Sequence, residues 1–441
     1  MKVLDFPAYF YPESISSSHL DSDLHAAIVK AGMQIELYTA TPCRGVTDEV
    51  RKEYKKKKVE AMYDGQMTVH RYSLYKEGKN PLLRALRYFI QCVKQFNRGV
   101  FAKGARECDV MFVASTPPIK GAMAALIKKC RRIPFVYNLQ DIFPDSLVGT
   151  GLAKRGGLLW KIGRVVENFT YRSADKIIVI SQDFKRNIMA KGVPEEKIEV
   201  IYNWVDENAV QPVAKAENPL YEEFGLSREA FTVVYAGNLG NAQNIGIILD
   251  AAKRFDDDGV QFVIFGTGGL EEEIRRRIAE EGLTNVRLLP LQPYERVSQV
   301  YSLGDACVVS CKEGLGGSAM PSKTWTIMSC GRPVIASFDE GELKEIIERN
   351  VNNNENEKLD VLETCGTSEH ARANDNRKSC GVFTHAGQVE EFVEAVRSLM
   401  DDRERCEQMG RNARRFILEN LTKEVGTQKY VEVIRSFAPK S

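Results

Sequence analysis

Short apolar runs rich in Val, Ile, Leu and Phe alternate with amphipathic stretches along nearly the whole chain. In the first half, Lys2–Phe6, Gln34–Thr39, Val110–Ser115, Phe135–Leu139, Lys176–Ile180 and Glu199–Tyr202 predict strands. Helical periodicity falls between them, at about Leu20–Ala31, Leu82–Ala105, Ile119–Cys130, Leu158–Arg172 and Gln182–Lys191. The second half repeats the theme, with strands at Thr232–Ala236, Gln261–Phe265, Val286–Leu289, Ala306–Ser310 and Val334–Ala336. Its helices are Ile245–Arg254, Leu270–Glu281, Pro293–Leu303 and Pro321–Ser329. Short β-branched runs joined by helical crossovers read as parallel sheets buried on both faces. The polar stretch Glu207–Pro219 separates the two series. The expected fold is therefore α/β, with two Rossmann-like doubly wound domains, 1–206 and 219–421, facing across a cleft.

Two stretches depart from this alternation. Asn350–Lys378 is polar, contains NNNENE, and reads as a surface insertion (350–378). Leu82–Phe101 mixes Arg, Lys and aromatics on a long helix, where Leu82, Leu86, Phe89, Ile90, Val93 and Phe96 share a face. Two readings stand side by side: a helix packed on the core with a basic outer face, or a helix lying on anionic lipid, helped by Lys55–Lys58.

Composition narrows the class. At 441 residues two domains are the natural expectation, and a net charge of +1 gives no general pull toward nucleic acid. Ten cysteines are scattered without a CxxC pair, Cys307 and Cys311 reading as core thiols, which is a reducing-compartment pattern. Met1 leads directly into a strand, so no signal peptide is expected. No apolar run reaches the roughly 20 residues that span a bilayer. The chain is expected in the cytoplasm, or peripheral on the inner face of the cytoplasmic membrane.

The chemistry converges on Lys312–Ser337, KEGLGGSAMPSKTWTIMSCGRPVIAS. Paired glycines at Gly316 and Gly317 with Ser318 permit close backbone approach, and Pro321 and Ser322 open a helix beside Lys323. A loop feeding a helix start, with one lysine beside it, outlines an anion site suited to a diphosphate. The plain alternative is an ordinary β-loop-α-β unit with a solvated lysine. Gly237, Asn238, Gly240, Asn241 and Gln243 follow one strand, and Gly266 and Gly268 the next, where phosphate or sugar contacts are reasonable. Leu289 ends the strand after that. No full GxGxxG with a distant acid and no Walker motif occurs, which argues against NAD and ATP. Asp21, Asp23 and Asp256–Asp258 invite a metal site, but the first two read as helix first-turn charges, and no metal is expected. Ser16, Ser17, Ser18 and His19 follow the first strand and either meet a phosphate or hydroxyl or cap a helix. Asp141 and Asp145 follow Phe135–Leu139; Asp141 is either a base or acceptor-orienting group, or a turn carboxylate.

Taken together, YNLQDIFPDSLVGTGL, ADKIIVIS, IYNWVD, VVYAGNLGNAQNI, FVIFGTGG, LLPLQP and MPSKTWTIMSCGRPVIA resemble, in order, the retaining GT-B glycosyltransferases of family 4. The resemblance is strongest to the branch of N-acetyl-fucosamine transferases that build bacterial surface polysaccharide. It implies a C-terminal domain binding a nucleotide sugar, usually UDP-linked, and no cofactor or metal. It implies an N-terminal domain binding a polyprenyl-diphosphate-linked or other glycan acceptor. The last helix, within 422–441, is expected to return to that domain. From their places at a strand's end and beside the glycine-rich loop, Asp141 and Lys323 are the catalytic candidates. Gly237, Asn238, Gly240, Asn241, Gln243, Gly266, Gly268, Leu289, Gly317, Ser318, Pro321, Ser322 and Thr326 are expected at the donor, and Ser17, Ser18, His19 and Asp145 at the acceptor. The family's two glutamates fall on Ser318 and Thr326, and its diphosphate-gripping Arg and Lys near Asn238 and Gln243, all neutral here. Lys323 then carries more of the phosphate charge. Two competing functions follow from these departures: a nucleotide-sugar epimerase, which needs cleft carboxylates and histidine that are not evident, and a non-catalytic GT-B partner protein.

Overall fold

The structure, a computed structural model, describes residues 1–13, 18–78, 80–149, 153–255, 259–348 and 378–438. The expected insertion, apart from Lys378, and Ser16, Ser17 and Asp256–Asp258 lie outside the described residues. The chain divides into two compact units, Met1–Trp204 with Lys423–Ser441, and Val205–Thr422.

In the first unit the elements run β1 (Lys2–Asp5), α1 (Ser18–Lys30), β2 (Gln34–Ala40), α2 (Asp48–Lys56), β3 (Val59–Met62), β4 (Met67–Tyr72), α3 (Pro81–Phe101) and α4 (Lys103–Arg106). They continue as β5 (Val110–Ala114), α5 (Lys120–Arg131), β6 (Phe135–Leu139), α6 (Asp145–Gly149), α7 (Leu158–Ser173), β7 (Lys176–Val179), α8 (Gln182–Ala190) and β8 (Ile198–Val200). Among the described residues these strands form one sheet in the order β3-β4-β2-β1-β5-β6-β7-β8, parallel except for β3. The strands are short because each is buried on both faces: Val110, Val136 and Ile178 are fully covered. Right-handed crossovers put α3, α5 and α7 on the face opposite α1.

The second unit runs α9 (Leu220–Glu223), β9 (Phe231–Asn238), α10 (Gly246–Ala252), β10 (Val260–Thr267), α11 (Glu271–Glu280), β11 (Val286–Leu289), α12 (Val297–Ser302) and β12 (Ala306–Ser310). Then come α13 (Lys323–Ser329), β13 (Val334–Phe338), α14 (Glu342–Glu348), β14 (Gly381–His385), α15 (Val389–Asp401) and α16 (Arg403–Asn420). Its parallel sheet is ordered β11-β10-β9-β12-β13-β14, over a core that includes Phe231, Tyr235, Phe262, Val308, Ile335 and Phe392. The two Rossmann-like sheets expected from the sequence are both present.

The last helix, α17 (Lys423–Arg435), belongs to the first unit. Trp204 packs on Gly426 and donates its indole N–H to Asp23 at 3.0 Å, while Lys423 approaches Asp23 at 3.7 Å. Tyr430 donates to Asn138 at 3.1 Å, and Asn203 to Gln140 at 2.9 Å. Asp23 is therefore not just a solvated first-turn charge, as its position suggested; it helps fasten the end of the chain.

Two helices differ from their expected form. The long helix of the first unit breaks at Ala102, whose backbone is extended. It also turns its polar side inward. Arg87, Gln91 and Gln95 are buried, whereas Leu82, Leu86, Phe89 and Val93 are exposed. The core-packed reading of that apolar face is thereby overturned. In the second unit, α13 starts at Lys323, so Pro321 lies ahead of the helix rather than in its first turn. Thr324 and Trp325 donate to the carbonyls of Pro321 and Ser322, tight three-residue closures that precede regular helix.

Candidate nucleotide-sugar site

Strand order locates the site. In the second sheet the chain moves from β9 outward to β10 and β11, then returns to the other side of β9 with β12. The β9–β12 junction is a topological switch point, where the loops leaving two neighbouring parallel strands diverge and leave a crevice. The loop after β9 carries Gly237 to Gln243; the loop after β12 carries Cys311 to Ser322. Lys312 donates its amide to the Ala242 carbonyl at 2.8 Å, and Ser310 its hydroxyl to that of Gln243 at 2.6 Å, tying the two loops together.

Lys323 crosses this junction from the start of α13. Its ammonium stands 4.1 Å from the centre of the Tyr235 ring on β9. A Cβ on Gly237, whose φ is +145°, would lie 2.8 Å from that ammonium. Gly237 thus serves the lysine's approach, in a backbone conformation that side chains rarely adopt. Tyr235 is fixed by its own hydroxyl, which donates to the Asn238 carbonyl at 2.8 Å. Burial lowers the Lys323 pKa from 10.5 to about 8. Among the described residues no carboxylate pairs with it. A half-buried ammonium resting on a ring face and lacking a counter-ion is a group waiting for an anion.

The other expected donor residues take varied places. Asn238 donates to Gln243 at 3.4 Å, and Asn241 begins a short 3-10 turn ending at Gln243. Parallel register sets Gly237 beside Gly266, and Leu289 beside Phe265, so all lie along the carboxyl edge of the sheet. Gly266 and Gly268 also serve packing: a Cβ on Gly266 would meet the Gly237 carbonyl and Leu239, and one on Gly268 the Leu239 backbone, at 2.5–2.7 Å. They let the two turns nest against each other. Gly240 would meet only the flexible ends of Asn238 and Gln243, and Gly317 faces open space. Ser322 is exposed, and Pro321 and Thr326 are half-buried. Ser318 closes the 3-10 turn Gly316–Ser318, and its side chain is outside the described residues. Asp339, which sequence reasoning missed, accepts the Gly314 amide at 3.1 Å and the Gly316 amide at 2.7 Å. Its signal was an acid directly after a buried strand, beside a glycine-rich loop.

The first sheet has its own switch point, between β1 and β5. There Asp5 meets His25 at 2.8 Å, and Lys120, at the head of α5, is fully buried, its ammonium without a hydrogen-bond partner among the described residues. Burial pushes the Asp21 carboxyl up to about 6, with the Asp5 charge adding and the cations His25 and Lys120 opposing. Asp21 and His25 are four apart on α1, which was the legible clue. Ser18 donates to the Glu13 carbonyl at 3.4 Å, and His19 is half-buried in the same first turn; Ser17 lies outside the described residues. Asp141, which follows β6, is exposed as a whole residue, yet neighbouring atoms desolvate its carboxyl enough to push its pKa up against the opposing hydrogen bond of Ser146. Asp145 is already engaged by Lys191 at 2.7 Å, and that ion pair outweighs burial to lower its pKa.

Residues 22–209 match the family model described as Glycosyltransferase Family 4, and residues 230–402 the one described as Glycosyl transferases group 1. The chain is 25% identical to the putative colanic acid biosynthesis glycosyl transferase WcaI of Escherichia coli K12, over 79% of this chain and 86% of that protein. It is 26% identical to the probable glycosyltransferase WbjE of Pseudomonas aeruginosa, over 55% of this chain and 61% of the relative. Among solved structures, Anabaena HepE in complex with UDP is similar with a TM-score of 0.67 at 18% identity, over 99% of this chain and 100% of that one. Sucrose-phosphate synthase of Thermosynechococcus elongatus is similar with a TM-score of 0.72 at 15% identity, over 99% and 98%. At such identities these structures speak for the fold. With two sheets of this topology and both halves matched in order, the chain belongs to the GT-B glycosyltransferases of family 4/group 1.

Proposed function

We propose that this enzyme is a retaining glycosyltransferase that moves an N-acetylated amino or deoxy sugar from UDP to a lipid-linked or glycan acceptor, in the building of bacterial surface polysaccharide. The observation that carries the reading is the unpaired ammonium of Lys323 at the β9–β12 junction. Cleavage of a nucleotide sugar leaves negative charge on the departing diphosphate. A fixed cation at that point stabilises it without reorganisation, a contribution of order 3–4 kcal/mol per well-placed donor. The solved relative HepE binds UDP, and WcaI is named for colanic acid, which together support the donor and pathway class. The reading needs no metal, since Lys323 meets the leaving group's charge. A lipid-linked acceptor would bring the chain to the inner face of the cytoplasmic membrane, as a peripheral protein. Asp141 is assigned as the acceptor-side base, reached from the end of β6.

The test is incubation with a panel of UDP-sugars and a polyprenyl-diphosphate-linked acceptor. Transfer product is expected, and Lys323→Ala lowers turnover at least about tenfold while the fold is retained. Isomerised UDP-sugar without acceptor would favour an epimerase. Absence of any turnover would favour a non-catalytic partner protein. Near-normal turnover of the variant would remove Lys323 from the phosphate site.

A further inference from the structure

Helix α3 is amphipathic the wrong way round for a core helix. Arg87, Gln91 and Gln95, one stripe at four-residue spacing, are 1%, 0% and 0% exposed. Their bonds reach distant carbonyls: Arg87 to Tyr75 at 3.1 Å, Gln91 to Ala8 at 3.0 Å, and Gln95 to Pro7 at 3.2 Å and Tyr38 at 3.3 Å. These bonds fix the helix about its axis. Leu82, Leu86, Phe89 and Val93 consequently face solvent, with Leu82 80% exposed.

The same stripe recurs on α7. Leu158, Ile162, Val165 and Phe169 repeat the spacing of four, three and four, and are exposed, Leu158 by 77% and Val165 by 69%. Helix α5 packs against both α3 and α7, and contributes Leu126. Most large hydrophobics exposed among the described residues lie on these three neighbouring helices. A solvated face does not concentrate them in this way.

The charges on this layer are one-sided. Arg98, Lys129, Lys161 and Arg172 are exposed, as is Arg84, which pairs with Glu77 ahead of α3 at 3.0 Å, and the only carboxylate on the three helices is Glu167, which is buried and paired with Arg164 and Lys191. In a chain of net charge +1 this is a strong local bias. A cleft of about 430 Å³ on α3, lined by Tyr72, Lys94, Asn97, Arg98 and Phe101, sets two cations beside an exposed ring. A second copy of the chain fits poorly, because self-pairing would oppose cations to cations with no carboxylate between them.

We propose that the α3–α5–α7 layer of the first unit is a docking face for an anionic phospholipid bilayer, its apolar stripes entering the headgroup boundary and its cations meeting lipid phosphates. This deepens the peripheral-membrane part of the proposed function but stands without the transfer reaction. Lys55–Lys58, by contrast, leads into β3 at the outer edge of the sheet and is not part of this face.

Trp160 lies on the inner side of α7, its indole N–H donating to Asp145 at 3.4 Å, and Trp204 and Trp325 are 4% and 1% exposed, so a fluorophore on the face itself is introduced as Phe169→Trp. The full chain is mixed with phosphatidylcholine vesicles, with and without phosphatidylglycerol, and followed by flotation and by quenching with acyl-brominated lipid. Flotation with the anionic vesicles is expected, with quenching of the introduced fluorophore in Phe169→Trp beyond any seen in the unsubstituted chain. The pair Leu158→Gln and Val165→Gln lowers partition at least about tenfold, and Lys161→Glu about fivefold. UDP binding by these variants is unchanged, which shows them folded and keeps failure here distinct from failure of the transferase reading. No flotation, equal flotation with neutral vesicles, or a dimer in light scattering that Leu158→Gln and Val165→Gln dissolve would each overturn the proposal.

Discussion

Replacing Lys323 by Met is expected to strengthen the fold and weaken diphosphate binding in the same molecule. The substitution keeps an unbranched chain of similar length and removes the charge. Burial lowers the ammonium's pKa from 10.5 to about 8, which corresponds to at most about 3 kcal/mol against the charged form at neutral pH. The Tyr235 ring, 4.1 Å away, offsets about 1–2 kcal/mol of this. A net gain of about 1–2 kcal/mol, or about 2–6 °C in Tm, follows for Lys323→Met near pH 7. Between about pH 8 and 10.5 the unfolded chain holds the extra proton, so wild-type stability rises with pH there and the cost is full below it. Binding moves the other way, because a charge-assisted contact to phosphate is worth about 1.5–3 kcal/mol, making UDP about 10- to 150-fold weaker. At pH 8.5 free Lys323 is about three-quarters deprotonated, and an arriving diphosphate restores the proton. Titration calorimetry in two buffers of different ionisation heat is therefore expected to show uptake of about 0.7 proton in wild type and none in Lys323→Met. A variant that loses stability, or binds UDP as well as wild type, would refute the assignment.

Asp141→Asn is expected to lower turnover at least about a hundredfold, as loss of a general base does. Because its carboxyl is raised, chiefly by burial, wild-type turnover should fall with acid at a pH above the ordinary carboxylate value; a flat profile with an active variant would remove it from the reaction. Gly426→Leu drives a side chain into Trp204, which a Cβ alone would meet at 2.6 Å, and should cost about 1–3 kcal/mol in chemical denaturation; an unchanged midpoint would mean that α17 is not seated there. Burial alone would lower His25, but the Asp5 hydrogen bond and the charges of Asp5 and Asp21 outweigh it and hold the imidazole above 6.5. Its contribution to stability is full below pH 6.5 and lost as pH rises through the folded value, so His25→Gln should flatten the decline of Tm above pH 6.5. An equally steep decline would assign that slope to other groups.

The parallel strands were legible because each is a continuous apolar run, and burial on both faces leaves no other pattern. The edge hairpin was not. β3 is alternately exposed and half-buried, and β4 carries Thr68, His70 and Arg71, so neither has the apolar density of a central strand. Helix α16 was missed for a related reason: its buried side is Cys406, Met409, Gly410, Ala413 and Ile417, small or soft residues set among charges. For α3 the periodicity was visible but its sense was not. A stripe of apolar residues marks one side of a helix; which side turns inward was decided by carbonyls of Pro7, Ala8, Tyr38 and Tyr75, remote in sequence. In the candidate site Lys323 was legible as the lone cation beside a glycine-rich loop. Its contact with Tyr235 was not, since that pairing depends on the β9–β12 neighbour relation.

That contact bears on how Lys323 alone would meet a diphosphate on the proposed reading. Had a carboxylate held Lys323, the charge would be secure but already spent, and an incoming diphosphate would have to displace it. A ring face steadies the cation without competing for an anion. The loop's own carboxylate is kept from that role: Asp339 accepts the Gly314 and Gly316 amides, which fixes the loop and partly neutralises the acid. Those amides are then not free for phosphate, so on the proposed reading the anion's charge would fall more heavily on Lys323. Neutral Thr326, three residues further along α13, adds no repulsion of its own. Burial lowers the pKa of Lys323, and on the proposed reading an arriving diphosphate would find its ammonium partly desolvated and without a carboxylate partner among the described residues.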